Sequence, residues 1–470
     1  MSFILYDIVF LIVFALFVAF FLYRGKKNLT KEGILLLYKT KWGIKLIHRI
    51  GKKYQKSLKI LSYFSIFVGY LLMICALYFV GQIVWIYLFD QAFVQAVKVP
   101  PIMPLFPYLP QAMNLNLPPF YFTYWILIIA IIAIFHEFAH GIFAARDNVK
   151  IKQTGFGFFP FFLPIFLAAF VELDETQMAK KSKFSQMAVL SAGTFANILT
   201  TILFFIVMVL FFSLAFQPAG IMYDEYVYSV IPISAVSMMN NISFANPSYN
   251  EIIDYVNSSG PNLIYANEIS YLGIKGFTKD KQGIALYDST PAAKAKLEKI
   301  ILNINDVEVE SIDNFQLEMS KYKPNETITL TVLGNDEEPY NRDITLIENP
   351  EDSSKGMLGV AFYNEKPGVM SKIILWFSSF KNRNTYYTPN FGEMSIFIYN
   401  LLWWLVLISL SVAILNMLPV GIFDGGRFFY LTIFGLTGKK KWAENSFKFM
   451  TQFILFLVIL IMVAWVVSFF

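Results

Sequence analysis

Two histidines and a glutamate lie within five consecutive residues of a strongly apolar segment. His136, Glu137 and His140 form the pattern HExxH. Because residues four apart share one face of a helix, both imidazoles could bind one metal ion, and Glu137 could accept a proton from an attacking water. Residues 120–145 contain no other Asp, Glu, Lys, Arg or His, and such groups in an apolar segment indicate function. A pair of buried, hydrogen-bonded histidines without a metal is the alternative.

A catalytic zinc ion usually takes three protein ligands, so a third ligand is needed. Between residues 394 and 438 the only charged residues are Asp424 and Arg427. A helix broken at Pro419 could turn the Asp424 carboxylate towards the metal. Alternatively, Asp424 caps the following helix or pairs with Arg427.

The composition of the chain indicates a membrane protein. Its 470 residues are 56% hydrophobic and 15% charged, against about 45–50% and about 25% in soluble domains. An ordinary soluble enzyme and a disordered chain are therefore excluded, and the single cysteine, Cys75, excludes a disulfide scaffold. The net charge of +5 comes from basic residues beside apolar segments, which indicates membrane topology and no nucleic-acid partner.

Six segments are long and apolar enough to cross a hydrocarbon layer of about 30 Å. They predict helices over residues 3–23, 60–89, 120–145, 187–216, 394–417 and 452–470. The first lacks a small-residue cleavage site, which favours a retained span. Twelve Lys or Arg between residues 24 and 59 place that loop in the cytoplasm, whereas residues 90–119, with one basic residue, lie outside. Both termini are then extracytoplasmic, and the HExxH pattern and Asp424 both reach the cytoplasmic leaflet.

Three other stretches interrupt this pattern. In the basic loop, apolar residues recur at helical spacing at Ile34, Leu35, Tyr38 and Trp42, which is typical of a helix on an anionic leaflet or of a solvated loop. Residues 154–169 are apolar but broken by glycines and prolines, which predicts a membrane hairpin or re-entrant loop; a plain cytoplasmic loop is the alternative. Residues 217–369 are more polar, with alternating runs such as 327–332, and predict an extracytoplasmic domain of short strands.

Together, the two motifs resemble those of the site-2 protease family of intramembrane zinc metalloproteases. That family carries HExxH on one span, as at residues 136–140, and NxxPxxxxDG on a later one, as at residues 416–425. Residues 193–197, in the fourth span, are similar to the family's small-residue and Asn pattern. The resemblance covers nearly the whole chain, and six spans are also a family arrangement.

The resemblance implies roles for individual residues. One zinc ion per chain is expected on His136, His140 and Asp424, with Glu137 as the general base of peptide hydrolysis. Asn416 is a candidate to stabilise the oxyanion or to hold the substrate backbone. A local helix cap is the alternative role of Asn416.

A peptide bond in a transmembrane helix is shielded by helical hydrogen bonds, so a substrate must unwind before it is cut. The resemblance implies that the hairpin, with Gly155 and Gly157, binds the freed strand by strand addition. Residues 283–305 look like the latter part of a PDZ domain, with residues 272–274 as a carboxylate-binding turn. They depart from that pattern because no Gly-Asp pair follows Lys299. A peptide or C-terminal ligand of this domain is therefore a candidate partner, beside transmembrane protein substrates and the lipid bilayer.

The predicted fold is a polytopic α-helical membrane protein of about six transmembrane helices, with a membrane-associated β-hairpin and an extracytoplasmic mixed α/β PDZ-like domain. Four regions are expected. Residues 1–119 hold two spans with the basic and Pro-rich loops, 120–216 the catalytic spans with HExxH and the hairpin, 217–369 the PDZ-like domain, and 370–470 the last two spans with the second motif.

The leading hypothesis is an intramembrane zinc metalloendopeptidase of the cell membrane that takes part in regulated intramembrane proteolysis. The alternative is a zinc-stabilised membrane binding or scaffold protein without protease activity. Glu137 argues against that alternative, because a structural zinc site needs no base and is usually closed by a fourth ligand. A zinc transporter would need further His, Asp or Glu along the spans, and these are almost absent.

Overall fold

The computed structural model describes residues 3–32, 35–90, 94, 100–115, 117–158, 166–259, 263–278, 280–334, 336–363 and 377–468. The chain divides into two compact units. The first comprises Met1–Phe211 and Ile396–Phe470, and the second comprises Phe212–Ser395. The second unit is therefore an insertion between two segments of the first.

Long apolar helices make up most of the first unit. The helices of the whole chain, in order, are α1 (Phe3–Arg24), α2 (Ile44–Lys53), α3 (Gln55–Phe89), α4 (Leu109–Ala112), α5 (Phe122–Arg146), α6 (Glu175–Ala179), α7 (Lys183–Ala215), α8 (Tyr249–Ser259), α9 (Pro291–Ala295), α10 (Ile312–Met319), α11 (Glu393–Asn416), α12 (Asp424–Thr437) and α13 (Lys440–Val467). Six of those described are long and apolar enough to cross a membrane, namely α1, α3, α5, α7, α11 and α13. This confirms the predicted polytopic architecture. Helix α13 begins at Lys440, earlier than the predicted residue 452, because hydropathy detects only the apolar part of a helix whose first turns are polar.

An antiparallel sheet of four strands completes the first unit, in the order β1-β2-β3-β4. Its strands are β1 (Leu29–Glu32), β2 (Leu35–Thr40), β3 (Ile151–Phe158) and β4 (Phe166–Leu173). The predicted hairpin is thus half of a larger sheet, and residues 159–165 between its strands lie outside the described residues. The predicted helical spacing at Leu35 and Tyr38 is wrong, because these residues lie on β2, where Tyr38 is opposite Phe156 on β3.

The carboxylate of Asp7 on α1 caps the first turn of α5. Asp7 is 1% exposed and accepts hydrogen bonds from the backbone N–H groups of Phe122 at 2.6 Å and Thr123 at 3.0 Å. The hydroxyls of Thr123 and Tyr108 also donate to it, each at 2.5 Å. Because the first N–H groups of a helix have no partner within the helix, and because its N-terminus is partly positive, this anion both satisfies and stabilises the start of α5.

Apolar packing and a buried arginine fix the rest of α5. Its first half packs against α11, with Ile128 and Ile132 in one buried cluster with Ile408. At its other end, Arg146 is buried, donates to the carbonyl oxygen of Leu58 on α3 at 3.2 Å and pairs with Asp147 at 2.5 Å. The helix that carries the HExxH pattern is therefore held at both ends.

The described part of the second unit is a mixed α/β structure with two six-stranded sheets and two small two-stranded ones, β17-β18 and β19-β6. One six-stranded sheet has the strand order β7-β12-β11-β10-β8-β9, and the other has the order β16-β15-β13-β5-β20 with β14 beside β13. The strands are β5 (Phe216–Met222), β6 (Glu225–Tyr226), β7 (Tyr228–Pro232), β8 (Val236–Met239), β9 (Ile242–Ser243), β10 (Ile264–Ala266), β11 (Ile269–Phe277), β12 (Gly283–Asp288), β13 (Ile300–Ile304), β14 (Val307–Glu308), β15 (Thr327–Leu333), β16 (Pro339–Thr345), β17 (Ile347–Asn349), β18 (Asp352–Met357), β19 (Val360–Ala361) and β20 (Thr385–Pro389).

Two sequence predictions concern this unit directly. The alternation at residues 327–332 is confirmed as β15, on which Ile328, Leu330 and Val332 are fully buried. Residues 272–274 do not form a turn between elements, because they lie inside β11, where the pairing with β12 shifts register and Gly273 has a φ of 88°. The PDZ-like character of the unit stays a prediction.

Candidate active site

The two histidines of the HExxH pattern lie side by side on α5. The Nε2 atoms of His136 and His140 are 3.0 Å apart, as the four-residue spacing predicts. His136 is 8% exposed, and His140 is half-buried. Two imidazole nitrogens that face each other at this distance suit a shared cation better than a hydrogen bond between them.

The side chain of Asp424 lies next to the two histidines, although Asp424 is far from them in the sequence. Helix α11 ends at Asn416, the chain turns, and α12 begins at Asp424. The turn is tight: a Cβ atom added to Gly425 would lie 2.3 Å from the carbonyl carbon of Met417. Among the described residues, Asp424 pairs with the two histidines, whereas the Nη1 atom of Arg427 lies 3.9 Å from Oε1 of Glu175.

The three side chains form a nearly equilateral set of ligand atoms. The Oδ2 atom of Asp424 is 3.3 Å from the Nε2 atom of His136 and 3.3 Å from that of His140. A tetrahedral zinc ion about 2.0–2.1 Å from each ligand separates them by roughly 3.3 Å. Two nitrogens and one carboxylate oxygen at these separations fit one zinc ion and leave its fourth position open.

Glu137 offers a competing arrangement, since ligand atoms of His136, Glu137 and His140 also lie within 4.8 Å of one another. Its Oε2 atom, however, accepts a hydrogen bond from the backbone N–H of Val171 on β4 at 2.9 Å. The carboxylate is therefore tied to the sheet, and Asp424 has the more regular geometry. This arrangement favours Asp424 as the third ligand and leaves Glu137 beside the metal position.

Backbone groups hold the site in place, and the sequence gives no signal for them. The Nδ1 atom of His140 lies 2.7 Å from the carbonyl oxygen of Val189 on α7. Because a carbonyl can only accept, Nδ1 carries a proton, and in the neutral imidazole Nε2 then presents its lone pair. The N–H of Val171 and the carbonyl of Val189 become visible only once the helices and the sheet are assembled.

Two cavities adjoin the site: Asp424 and Glu137 line both, His140 lines the first, and His136 lines the second. One of about 580 Å³ has charged side chains on its wall, including Lys152, Glu172 and Arg427. The other, of about 460 Å³, is largely apolar and contains Asn416 together with His136, Glu137 and Asp424 on its wall. Asn416 therefore shares the wall of one cavity with His136, Glu137 and Asp424.

The strand order corrects the expectation for two glycines. Gly155 and Gly157 lie on β3, which pairs with β2 on one side and β4 on the other. Neither residue offers a free backbone edge to a substrate. A Cβ atom added at Gly155 would lie 2.2 Å from the carbonyl oxygen of Tyr38 and 2.6 Å from the ring of Phe170, so this glycine is needed for close packing within the sheet.

Comparison with known proteins identifies the family of the chain. The model of peptidase family M50 matches residues 124–461. The chain is 24% identical over 250 residues to the zinc metalloprotease RasP of Shouchella clausii (strain KSM-K16), an alignment that covers 47% of this chain and 57% of RasP. The chain thus matches little more than half the length of that relative. Since the family match covers well over half of the chain and includes both motifs, the chain belongs to peptidase family M50, the site-2 protease family of zinc metalloproteases.

Proposed function

We propose that this protein is an intramembrane zinc endopeptidase that hydrolyses peptide bonds within or next to the transmembrane segments of other membrane proteins. The observation that carries the proposal is the triangle of His136, His140 and Asp424, with sides of 3.0, 3.3 and 3.3 Å. Glu137 lies beside it, on a helix long and apolar enough to cross a membrane. A general base next to an open metal position is typical of a hydrolase and is not required by a structural zinc site.

Each residue has a role in this proposal. When bound, zinc polarises the scissile carbonyl and activates a water molecule for attack. Glu137 accepts the proton of the attacking water and passes it to the leaving amine. The Val171 N–H, which donates to Oε2 of Glu137, orients that carboxylate. Asn416, on the wall of the apolar cavity, donates its amide N–H groups to the oxyanion or to the substrate backbone.

The edge of the sheet is the proposed binding site for an unwound substrate. β3 pairs with one side of β4, and within the described part of the chain no strand pairs with the other side. The Val171 N–H points to that open side, because it donates to Glu137. Backbone groups of Ala169 and Leu173, two residues away in either direction, face the same side of an extended strand. A substrate strand added there would run past the general base.

The proposed location follows from the charges of the loops. The basic segment between residues 24 and 59 favours the cytoplasmic side. With six spans, the second unit and both termini are then extracytoplasmic, and the site faces the cytoplasmic leaflet. A peptide or C-terminal ligand of the second unit belongs to the same proposal, as does a role in regulated intramembrane proteolysis.

The test measures zinc content and substrate cleavage on the same protein preparations. We expect the detergent-purified protein to hold about one zinc ion per chain and to cleave a single-span model substrate. Glu137→Gln should keep the zinc and lose activity by roughly 10²–10⁴-fold, since it removes the general base. Glu444→Gln, a change of the same type on the polar start of α13, is the control and should leave both unchanged.

Full activity in Glu137→Gln would contradict the assigned mechanism. Zinc bound without cleavage of any tested substrate, in the wild type as in the variant, would instead favour a zinc-stabilised binding or scaffold protein. Absence of zinc from the wild type would remove the basis for both functions.

A further inference from the structure

Three positions of α7, spaced four residues apart, face the two histidines of α5. The Val189 carbonyl lies against His140 Nδ1, and the Asn197 side chain lies against His136 Nδ1, with Nδ2 3.1 Å from it. Gly193 lies between them. Positions four apart form one stripe along a helix. This stripe of α7 therefore packs against His136 and His140, which are also four residues apart on α5.

Gly193 has no side chain and so keeps the space next to the two Nε2 atoms open. A Cβ atom added there would lie 2.4 Å from Nε2 of His140 and 2.6 Å from Nε2 of His136. The approach is therefore closest at the atoms that would bind the metal. Any larger residue at this position would displace the imidazoles or take space next to the metal.

Asn197 contacts His136 on the opposite side of the ring from the metal position. Its side chain is fully buried, and its Oδ1 atom has no hydrogen-bond partner among the described residues. If Nε2 of His136 binds zinc, Nδ1 must carry the proton and needs an acceptor. The two ends of a side-chain amide have nearly the same shape. With the amide turned by 180°, Oδ1 lies beside Nδ1 and accepts that proton.

The position of Asn197 is itself fixed. Its backbone carbonyl accepts hydrogen bonds from the hydroxyl of Thr201 at 2.9 Å and from that of Ser409, on α11, at 2.9 Å. The side chain therefore starts from a backbone held between α7 and α11. This rigidity suits a group whose role is to set the orientation of another side chain.

We infer that Asn197 is a positioning residue for the metal site: its Oδ1 atom accepts the Nδ1 proton of His136 and so fixes the tautomer that presents Nε2 to zinc. Gly193 keeps the adjacent space open. His140 obtains the same tautomer from the Val189 carbonyl, so one stripe of α7 orients both imidazoles. This inference rests on the proposed zinc site and goes beyond it, because Asn197 is not one of the three proposed ligands and acts through the imidazole of His136.

The test measures zinc affinity directly, by competition with a chelator on the full-length, detergent-purified protein. Asn197→Leu, similar in size but without an acceptor, should bind zinc about 10–100-fold more weakly, the usual effect of removing such a partner. Asn197→Asp keeps an acceptor and should stay within about 3-fold of the wild type. Thr200→Val, which removes only a hydrogen bond to the Ala196 carbonyl of the same helix, is the matched control and should not change the affinity.

A second readout separates orientation of the histidine from general stability. The apo forms of wild type and Asn197→Leu should unfold at similar temperatures, whereas the increase caused by added zinc should be smaller in the variant. If Asn197→Leu does not fold, Asn197→Ala replaces it, with the same expected loss of affinity and the same rescue by Asn197→Asp.

Equal zinc affinity of Asn197→Leu and the wild type would overturn the inference and leave the proposed function intact. An Asn197→Asp variant as weak as Asn197→Leu would also overturn it, because an acceptor would then not be what matters. A wild-type protein that binds no zinc would overturn both the inference and the proposed function.

Discussion

A methyl group added at Gly193 would lie closer than 3 Å to both imidazoles of the metal site. The rings cannot easily move away, because His140 is held by the Val189 carbonyl and His136 by Asn197. We therefore expect Gly193→Ala to lower zinc affinity by at least about 10-fold, the lower end of the loss seen when the orientation of a metal ligand is disturbed, and to lower cleavage with it. Zinc content after dialysis against a chelator, measured beside cleavage of a model substrate, checks this.

Gly81→Ala on α3 is the matched control for that change. A Cβ atom added at Gly81 would meet nothing within 4 Å, so zinc content and activity should stay at the wild-type level. A zinc-loaded and active Gly193→Ala would show that the helices separate more easily than their packing implies.

The residues of the site differ in how far the sequence reveals them. His136, Glu137 and His140 are visible from spacing alone, and Asp424 is visible because charged residues are so scarce around it. Which groups orient these side chains depends on how α5, α7 and β4 pack. Backbone groups such as the Val171 N–H exist in every residue, and only assembly decides which of them meets a ligand residue.

At the scale of elements, the contact of α1 with α5 depends on one buried carboxylate. Asp7 accepts four hydrogen bonds from Tyr108, Phe122 and Thr123. Asp7→Ala would leave two N–H groups at the start of α5 without an acceptor, at a cost of about 1–3 kcal/mol each. We expect a clearly lower midpoint of thermal unfolding in detergent, measured with zinc present.

Tyr108→Phe is the graded comparison for that prediction, because it removes one of the four donors and no backbone contact. Its effect should be smaller, about 0.5–1.5 kcal/mol for one hydrogen bond. An Asp7→Ala protein as stable as the wild type would mean that water or another group caps α5.

The helices and strands differ in how far along the chain their hydrogen-bond partners lie. Each long helix satisfies its own backbone hydrogen bonds, so apolar length alone predicts it. A strand needs partners, and β2 pairs on one side with the neighbouring β1 and on the other with β3, more than a hundred residues further along the chain. The local spacing of Leu35 and Tyr38 could not indicate that pairing, and the position of Gly155 inside the sheet depends on it as well.

For the whole molecule, the six apolar helices among the described residues and the uneven distribution of basic residues predict one topology. An even number of spans places the two termini on the same side, and the lysines and arginines between residues 24 and 59 favour the cytoplasm for that loop. Under the proposed topology, the second unit, which follows the fourth of these helices, would be extracytoplasmic.

The chain is well suited to a test of this topology, because Cys75 is its only cysteine. In a Cys75→Ser background, Ser57→Cys and Ser353→Cys are matched changes at two exposed serines, one at the basic start of α3 and one on β18. A membrane-impermeant maleimide should label Ser353→Cys in intact cells and Ser57→Cys only after permeabilisation. Labelling in the reverse order would show that the protein has the opposite orientation in the membrane. The zinc site would then lie near the extracytoplasmic leaflet, and substrates would be cut on that side.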